Sequence, residues 1–195
     1  MKSEQPKNDG YHHGALREAL IDRALEKLSS GTRVTELSVR ALAAEVGVSK
    51  GAPYRHFPSA DALIAALATR GFSRLSAAMS TSSGRSLATI GTIYVRFAAA
   101  NPELYRAMYH FPAERIAAFP ELAEAAERAF RILSATIDST TGESPGAARE
   151  LRATAAWAYV HGLAELVINR LTTQLDVNDD HVMALLMSRF DSPAS

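Results

Sequence analysis

The chain has 195 residues, 47% hydrophobic and 22% charged, which is enough apolar material for one domain or two small ones with a real core. It has no cysteine, so disulfides, thiolate metal sites and cysteine nucleophiles are excluded. Its 21 basic and 21 acidic residues cancel, but residues 1–80 hold eleven Lys and Arg against eight Asp and Glu, and residues 81–195 hold ten against thirteen. The sign of that split suits an N-terminal part that meets phosphate and a C-terminal part that does not.

The opening MKSEQPKNDG is polar, reads as a disordered arm over residues 1–10, and lacks the apolar centre of a signal peptide. No apolar run approaches the roughly 18–20 residues of a membrane span, so a cytoplasmic protein is expected. Alanine runs and few β-branched clusters favour helix. A first helix is predicted from about Gly14 to Ser29, with Leu16, Leu20, Ala24 and Leu28 on one face and Gly31 as its stop. A short second helix follows the N-cap candidate Ser38 and turns Leu42, Ala43 and Val46 inward. A third spans about Lys50 to His56. Pro58-Ser59 breaks the chain, and Ser59 caps a longer fourth helix carrying Leu63, Ile64, Leu67, Gly71, Leu75 and Ala78.

Thr81-Ser82-Ser83-Gly84 reads as the boundary of a second part. Helices are then predicted over Leu87 to Ala100, Pro102 to Tyr109, Pro120 to about Ile137 and Ala147 to about Thr172, with a loop at Phe111–Phe119 and a break at Gly142–Gly146. A last helix has Asn178 as cap, Asp179 and Asp180 in its first turn and Arg189 in its last, which suits the helix dipole. Nothing reads as a strand. The expected fold is all-α.

The stretch LAAEVGVSKGAPYRHF, residues 42–57, carries the functional signal. Ala43 is small enough for a second helix to cross closely, Gly47 can take the left-handed conformation that ends one helix and aims the next, and Val48 can plug the angle. Ser49 can cap the new helix. A short helix, a three-residue turn with Gly and another short helix form the helix-turn-helix plan, whose second helix enters the DNA major groove. Lys50 lies in that helix's first turn, and Gly51 and Ala52 keep its tip slim enough to approach base edges or a thymine methyl. Pro53 falls where a missing N–H costs little. Tyr54 and His56 carry polar tips that reach phosphate, Ser38 and Arg40 can hold the flanking backbone, and Phe57 faces inward.

LSVRALAAEVGVSKGAPYRHFPSADALIAAL resembles the N-terminal domain of the TetR family of transcriptional regulators, and the likeness runs from about Tyr11 to Met79. The arm YHHGALR looks like the start of many members, although Ala15 sits where these often carry Asn. The resemblance implies Lys50, Gly51, Ala52, Tyr54 and His56 at the DNA, with Ser38 and Arg40 in support. Ala60 stands where a Lys is common, which leaves more of the phosphate contact to Ser59. It further implies a helix-turn-helix three-helix domain over 11–58, a connecting fourth helix over 59–80, and a C-terminal helical bundle over 81–195 that binds a small ligand and dimerises. WAYVHGLAEL, residues 157–166, resembles the Trp…His-Gly pattern of a TetR-related C-terminal domain named for those residues.

The residues support dimerisation on their own account. From Ala147 onward, Leu151, Ala155, Ala158, Gly162 and Leu166 form one apolar face, and Trp157, His161, Ala164, Ile168, Leu171 and Leu175 a second. A helix apolar on both faces must be buried on both: one face can meet its own bundle and the other, with small Ala158 and Gly162, suits a partner helix, whereas burial of both within its own domain would give a monomer. Val182, Leu185, Leu186 and Phe190 of the last helix complete a four-helix interface. Tyr94, Phe97, Tyr105, Met108, Phe130, Ile137, Trp157 and His161 are candidates to line an apolar pocket with a few polar tips, and His161 is the leading polar contact. His110, His161 and His181 lack metal-ligand spacing, and no carboxylate pair, nucleophile elbow or phosphate loop accompanies them. Neither catalysis, cofactor nor metal is expected. The expected protein is a homodimeric regulator, most naturally a repressor, that binds a pseudo-palindromic operator and is released by a small apolar or amphipathic effector. A helical protein-interaction module without DNA binding is the alternative.

Overall fold

Side-chain caps and prolines set most of the helix starts, as seen in a computed structural model that describes residues 9–81, 86–141, 146–172 and 175–188. Nine α-helices and two 3-10 helices make up the described residues, with no strand among them. Helix α1 (Asp9–Ser29) buries Leu20, Ile21, Ala24, Leu25 and Leu28. It begins earlier than the sequence predicts, so Asp9 and Gly10 are helical, while residues 1–8 of the expected arm lie outside the described residues. A 3-10 helix, Val34–Glu36, precedes α2 (Val39–Glu45), whose first turn is capped by Ser38 Oγ accepting from the Ala41 N–H at 3.4 Å. A second 3-10 helix, Ala52–Arg55, then leads to α3 (Ala60–Thr81), capped by Ser59 Oγ on the Ala62 N–H at 3.1 Å.

The remaining helices are α4 (Leu87–Ala100), α5 (Pro102–Met108), α6 (Ala113–Ile116), α7 (Pro120–Thr141), α8 (Ala147–Ile168) and α9 (Asp180–Met187). Pro102 and Pro120 each stand at a first helical position, where a missing N–H costs nothing. The segment predicted as loop contains the single turn α6. Helix α8 ends before Thr172 because Arg170 adopts φ +52° and the Leu171 N–H folds back onto the Leu166 carbonyl at 3.0 Å. The cap of α9 is Asp179, which accepts from the His181 and Val182 N–H groups at 2.8 and 3.3 Å, and not Asn178, whose own N–H donates to Asp176 at 2.9 Å. Ser82 to Gly84, Gly142 to Pro145, Arg189 and Phe190 lie outside the described residues.

Helix α3 ties the two parts together. It buries Leu63 through Ala68, then Gly71, Phe72, Leu75, Ser76 and Met79, packing on α1 at one end and more extensively on α5 and α7. Gly71 is where it meets α5 most closely: a β-carbon there would lie 2.6 Å from Met108 Cγ. Ion pairs join α3 to α1 (Arg70 to Glu18), α1 to α7 (Arg17 to Glu121 at 3.0 Å) and α6 to α3 (Arg115 to Asp61 at 2.6 Å), and contribute little individually because they are exposed. A buried link is weightier. Glu103 of α5 accepts the Val34 N–H at 3.0 Å and the Arg106 guanidinium at 2.5 Å, while Arg106 also reaches Asn169 Oδ1 at 3.0 Å. Arg96 holds the start of α9 against α4 through the Val177 carbonyl at 2.7 Å and Asp180 at 2.6 Å.

Candidate functional site

The turn after α2 is built by Gly47. Its φ of +74° places it in the left-handed region that favours glycine. Its N–H donates to the Ala44 carbonyl at 3.2 Å, and the Val48 N–H to the Ala43 carbonyl at 3.0 Å. This paired pattern closes a helix while redirecting the chain. Val48 is half-buried in the angle. The element that follows is shorter than the Lys50–His56 helix the sequence predicts: Lys50 and Gly51 form a turn and only Ala52–Arg55 is helical, in the 3-10 form. Pro53 brings no N–H for a longer α-ladder. Ser49 supplies its backbone carbonyl, which accepts the Ala52 N–H at 3.1 Å, and no side-chain cap is made.

Two buried residues anchor this tip, Pro53 and Phe57, the latter 2% exposed beneath the Arg17 guanidinium, which sits 5.9 Å from its ring centroid. The rest faces outward. Lys50, Gly51, Tyr54 and Arg55 are exposed and Ala52 and His56 half-buried, and Ser38, Arg40, Ser49 and Ser59 are exposed around them. Glu45 lies at the back of α2, held by Arg23 at 2.6 Å and Lys27 at 2.8 Å, and hydrogen bonds from Lys27 and Arg23 keep its carboxyl below the usual range. No ion pair among the described residues involves Arg40, Lys50 or Arg55. The tip is therefore an unneutralised cationic surface with an aromatic hydroxyl, suited to phosphate and base edges. Arg55 was passed over in the sequence reading, although it stands between Tyr54 and His56 in the same exposed turn.

A second feature lies in the C-terminal part: an apolar cavity of about 440 Å³ enclosed by α3, α4, α5, α6, α7 and α8. Of the residues proposed to line it, Tyr94, Met108, Phe130 and Trp157 do so. Tyr105, His161, Phe97 and Ile137 are not in its wall: Phe97 and Ile137 pack within the core, and the other two stand behind Tyr94 and Tyr109. Tyr109, the residue that closes α5, does line it, and its spacing of four from Tyr105 puts the two on the same side.

These aromatics form a hydrogen-bonded cluster. His161 Nδ1 is 2.6 Å from the Tyr105 hydroxyl and 3.2 Å from that of Tyr94, which in turn lies 3.0 Å from Tyr105 Oη and 2.7 Å from Tyr109 Oη. Burial raises all three phenols well above their ordinary range and lowers His161, with the Glu165 charge opposing the latter, so the cluster is uncharged at neutral pH. Trp157 stacks near Tyr109 with centroids 6.3 Å apart.

The third feature is the outer side of α8 and α9. Leu151, Ala155, Ala158, Gly162 and Leu166 are exposed, Leu151 by 71%, and Leu185 of α9 is exposed by 70% with Val182 and Leu186 half-buried beside it. The inward stripe of α8 runs through Ala153, Ala156, Val160, Leu163 and Ala164, rotated from the second face expected through Trp157 and His161. A Tyr159 hydroxyl donating to the Leu186 carbonyl at 2.8 Å locks α9 to α8.

Comparison with known proteins follows the same division. Residues 34–67 match the family profile described as bacterial regulatory proteins, tetR family, and residues 87–190 match the profile described as tetracyclin repressor-like, C-terminal domain. No curated protein matches the chain. Among solved structures, a protein of unknown function from Rhodococcus sp. RHA1 is 34% identical, with 96% of this chain and 97% of that one covered and a TM-score of 0.74. A bacterial regulatory protein in the tetR family, also from Rhodococcus RHA1, is 18% identical over 89% of this chain and 96% of its own, with a TM-score of 0.57. The multidrug binding protein EbrR, solved with imidazole, is 22% identical over 92% and 97%, with a TM-score of 0.53. The last two likenesses are of fold.

Proposed function

The chain belongs to the TetR family of bacterial regulatory proteins and is a DNA-binding transcriptional regulator, and from that premise we propose that it acts as a homodimeric repressor released by a small molecule in the cytoplasm. The exposed, unneutralised tip after Gly47 is the single observation that carries the DNA-reading assignment. Lys50, Gly51, Ala52, Tyr54, Arg55 and His56 read the groove, and Ser38, Arg40, Ser49 and Ser59 hold the phosphates on either side. A two-fold dimer through the apolar outer side of α8 and α9 presents two such tips. They engage half-sites one helical turn apart, roughly 34–36 Å, or a multiple of it.

The cavity is the effector site. Its wall reaches the DNA-reading part by two routes, Met108 against Gly71 of α3, and α5 itself, whose Glu103 holds Val34. A ligand that favours one position of α5 shifts the separation of the tips by its difference in affinity for the two positions, and by no more. Selection of bound sites from random DNA by the purified protein tests the reading: a two-fold symmetric motif is expected, and an asymmetric motif or none contradicts it.

A further inference from the structure

The cavity and the hydroxyl cluster behind it together specify the kind of molecule the site accepts. The cluster has three hydroxyl protons and makes four contacts with His161 Nδ1 as the fourth atom. With Nδ1 accepting, protons run from Tyr109 to Tyr94 to Tyr105 to His161, and the Tyr109 oxygen, which the Trp157 indole N–H also approaches, keeps one further lone pair to offer. With Nδ1 carrying a proton the order reverses, and Tyr109 keeps an O–H to donate. In either state the terminus is Tyr109, which is one of the two tyrosines in the cavity wall. Hydrogen-bonding capacity is therefore delivered at one end of an otherwise apolar chamber.

Charge is not provided for. Among the described residues, the single charged side chain in the wall is Glu127, which is exposed and paired with Arg131 at 3.6 Å. A bound carboxylate finds no cation there and a bound ammonium no uncommitted anion, and an unpaired buried ion is costly. The volume of about 440 Å³ falls in the range of small-ligand pockets, roughly 300–1,000 Å³. We infer that the effector is an uncharged, largely hydrocarbon small molecule with one hydrogen-bonding group, seated so that this group meets the Tyr109 hydroxyl. This rests on the reading of the cavity as the effector site.

A ten-carbon series separates the two claims: decane, 1-decanol, 2-decanone, decanoate and decylammonium, followed by the fluorescence of Trp157, the only tryptophan of the chain and a wall residue. The alkane, alcohol and ions do not absorb where tryptophan does, and the ketone, whose carbonyl absorbs there weakly, is read by competition against bound decanol. The alcohol and ketone are expected to bind at least about tenfold tighter than either ion, and Tyr109→Phe to weaken the alcohol and ketone about fivefold to tenfold, the worth of one neutral hydrogen bond, while decane is unaffected. Tyr94→Phe, which also keeps the ring, provides the second variant and is expected to act in the same direction. Tighter binding of an ion, or equal weakening of decane and decanol by both variants, overturns the inference and leaves the cavity reading standing. Failure of every probe to bind overturns both.

Discussion

Replacing Glu103 by Ala should cost far more than substituting any other ion-paired residue among the described residues. The carboxylate is 8% exposed and takes two donors, the Val34 N–H at 3.0 Å and Arg106 at 2.5 Å. Val34 is itself buried, so its amide has no water to turn to. Truncation leaves one buried backbone donor unpaired, at about 1–3 kcal/mol, and removes a charge-assisted bond worth about 1.5–3 kcal/mol, part of which Arg106 recovers through Asn169 and solvent. A net loss of about 2–3 kcal/mol is expected, or roughly 5–10 °C in Tm for a chain of this size. Glu103→Gln retains one acceptor oxygen and should lose about half as much. Denaturant melts followed by circular dichroism measure both variants. If Glu103→Ala loses less than about 0.5 kcal/mol, as an exposed pair would, Glu103 is not a buried link between α5 and the DNA-reading part, and the route from cavity to tip through it fails.

Arg170 is the one non-glycine residue at positive φ among the described residues, so Arg170→Gly should stabilise the chain by about 0.5–1 kcal/mol in the same melts, and a loss would refute the strain. His161 is half-buried, facing Tyr94, Tyr105, Tyr109 and Glu165, and desolvation holds its folded pKa below the unfolded value of about 6.5 against the opposing Glu165 charge. Its contribution is complete above that value and drains as pH falls through the folded pKa. Wild type should therefore lose more Tm between pH 8 and pH 5 than His161→Gln does. Leu185→Glu places a charge on the exposed apolar side of α9, and sedimentation is expected to show a dimer for wild type and a folded monomer for the variant; a monomeric wild type would refute the interface.

Features settled by chemistry within a few residues were legible in the sequence. Ser38 and Ser59 cap the helices they were expected to cap, and Gly47 is left-handed, because a hydroxyl two or three residues from an unpaired N–H and a residue without Cβ act locally. Neighbouring equivalents were not separable: Asn178 and Asp179 are both good caps, and only the folded chain shows which one serves. The inward stripe of α8 was assigned wrongly in phase because that helix is apolar on nearly every side, so periodicity marks no preferred direction. Contacts across the fold were out of reach altogether. Glu103 and Val34 are 69 residues apart, and nothing in either segment distinguishes that carboxylate from a solvated one. Of the residues proposed for the pocket, which form its wall and which stand behind it or pack into the core depends on how α4, α5 and α8 pack.

The central claim is that the exposed tip after Gly47 meets the phosphates and base edges of a duplex. Fluorescence anisotropy on the selected DNA site, repeated across salt concentrations for wild type and Lys50→Ala, tests it most directly. Log affinity should fall linearly with log salt, and Lys50→Ala should bind more weakly with a slope shallower by about one, the signature of one lost phosphate contact. Binding that ignores salt, or a Lys50→Ala variant with unchanged affinity and slope, would contradict it.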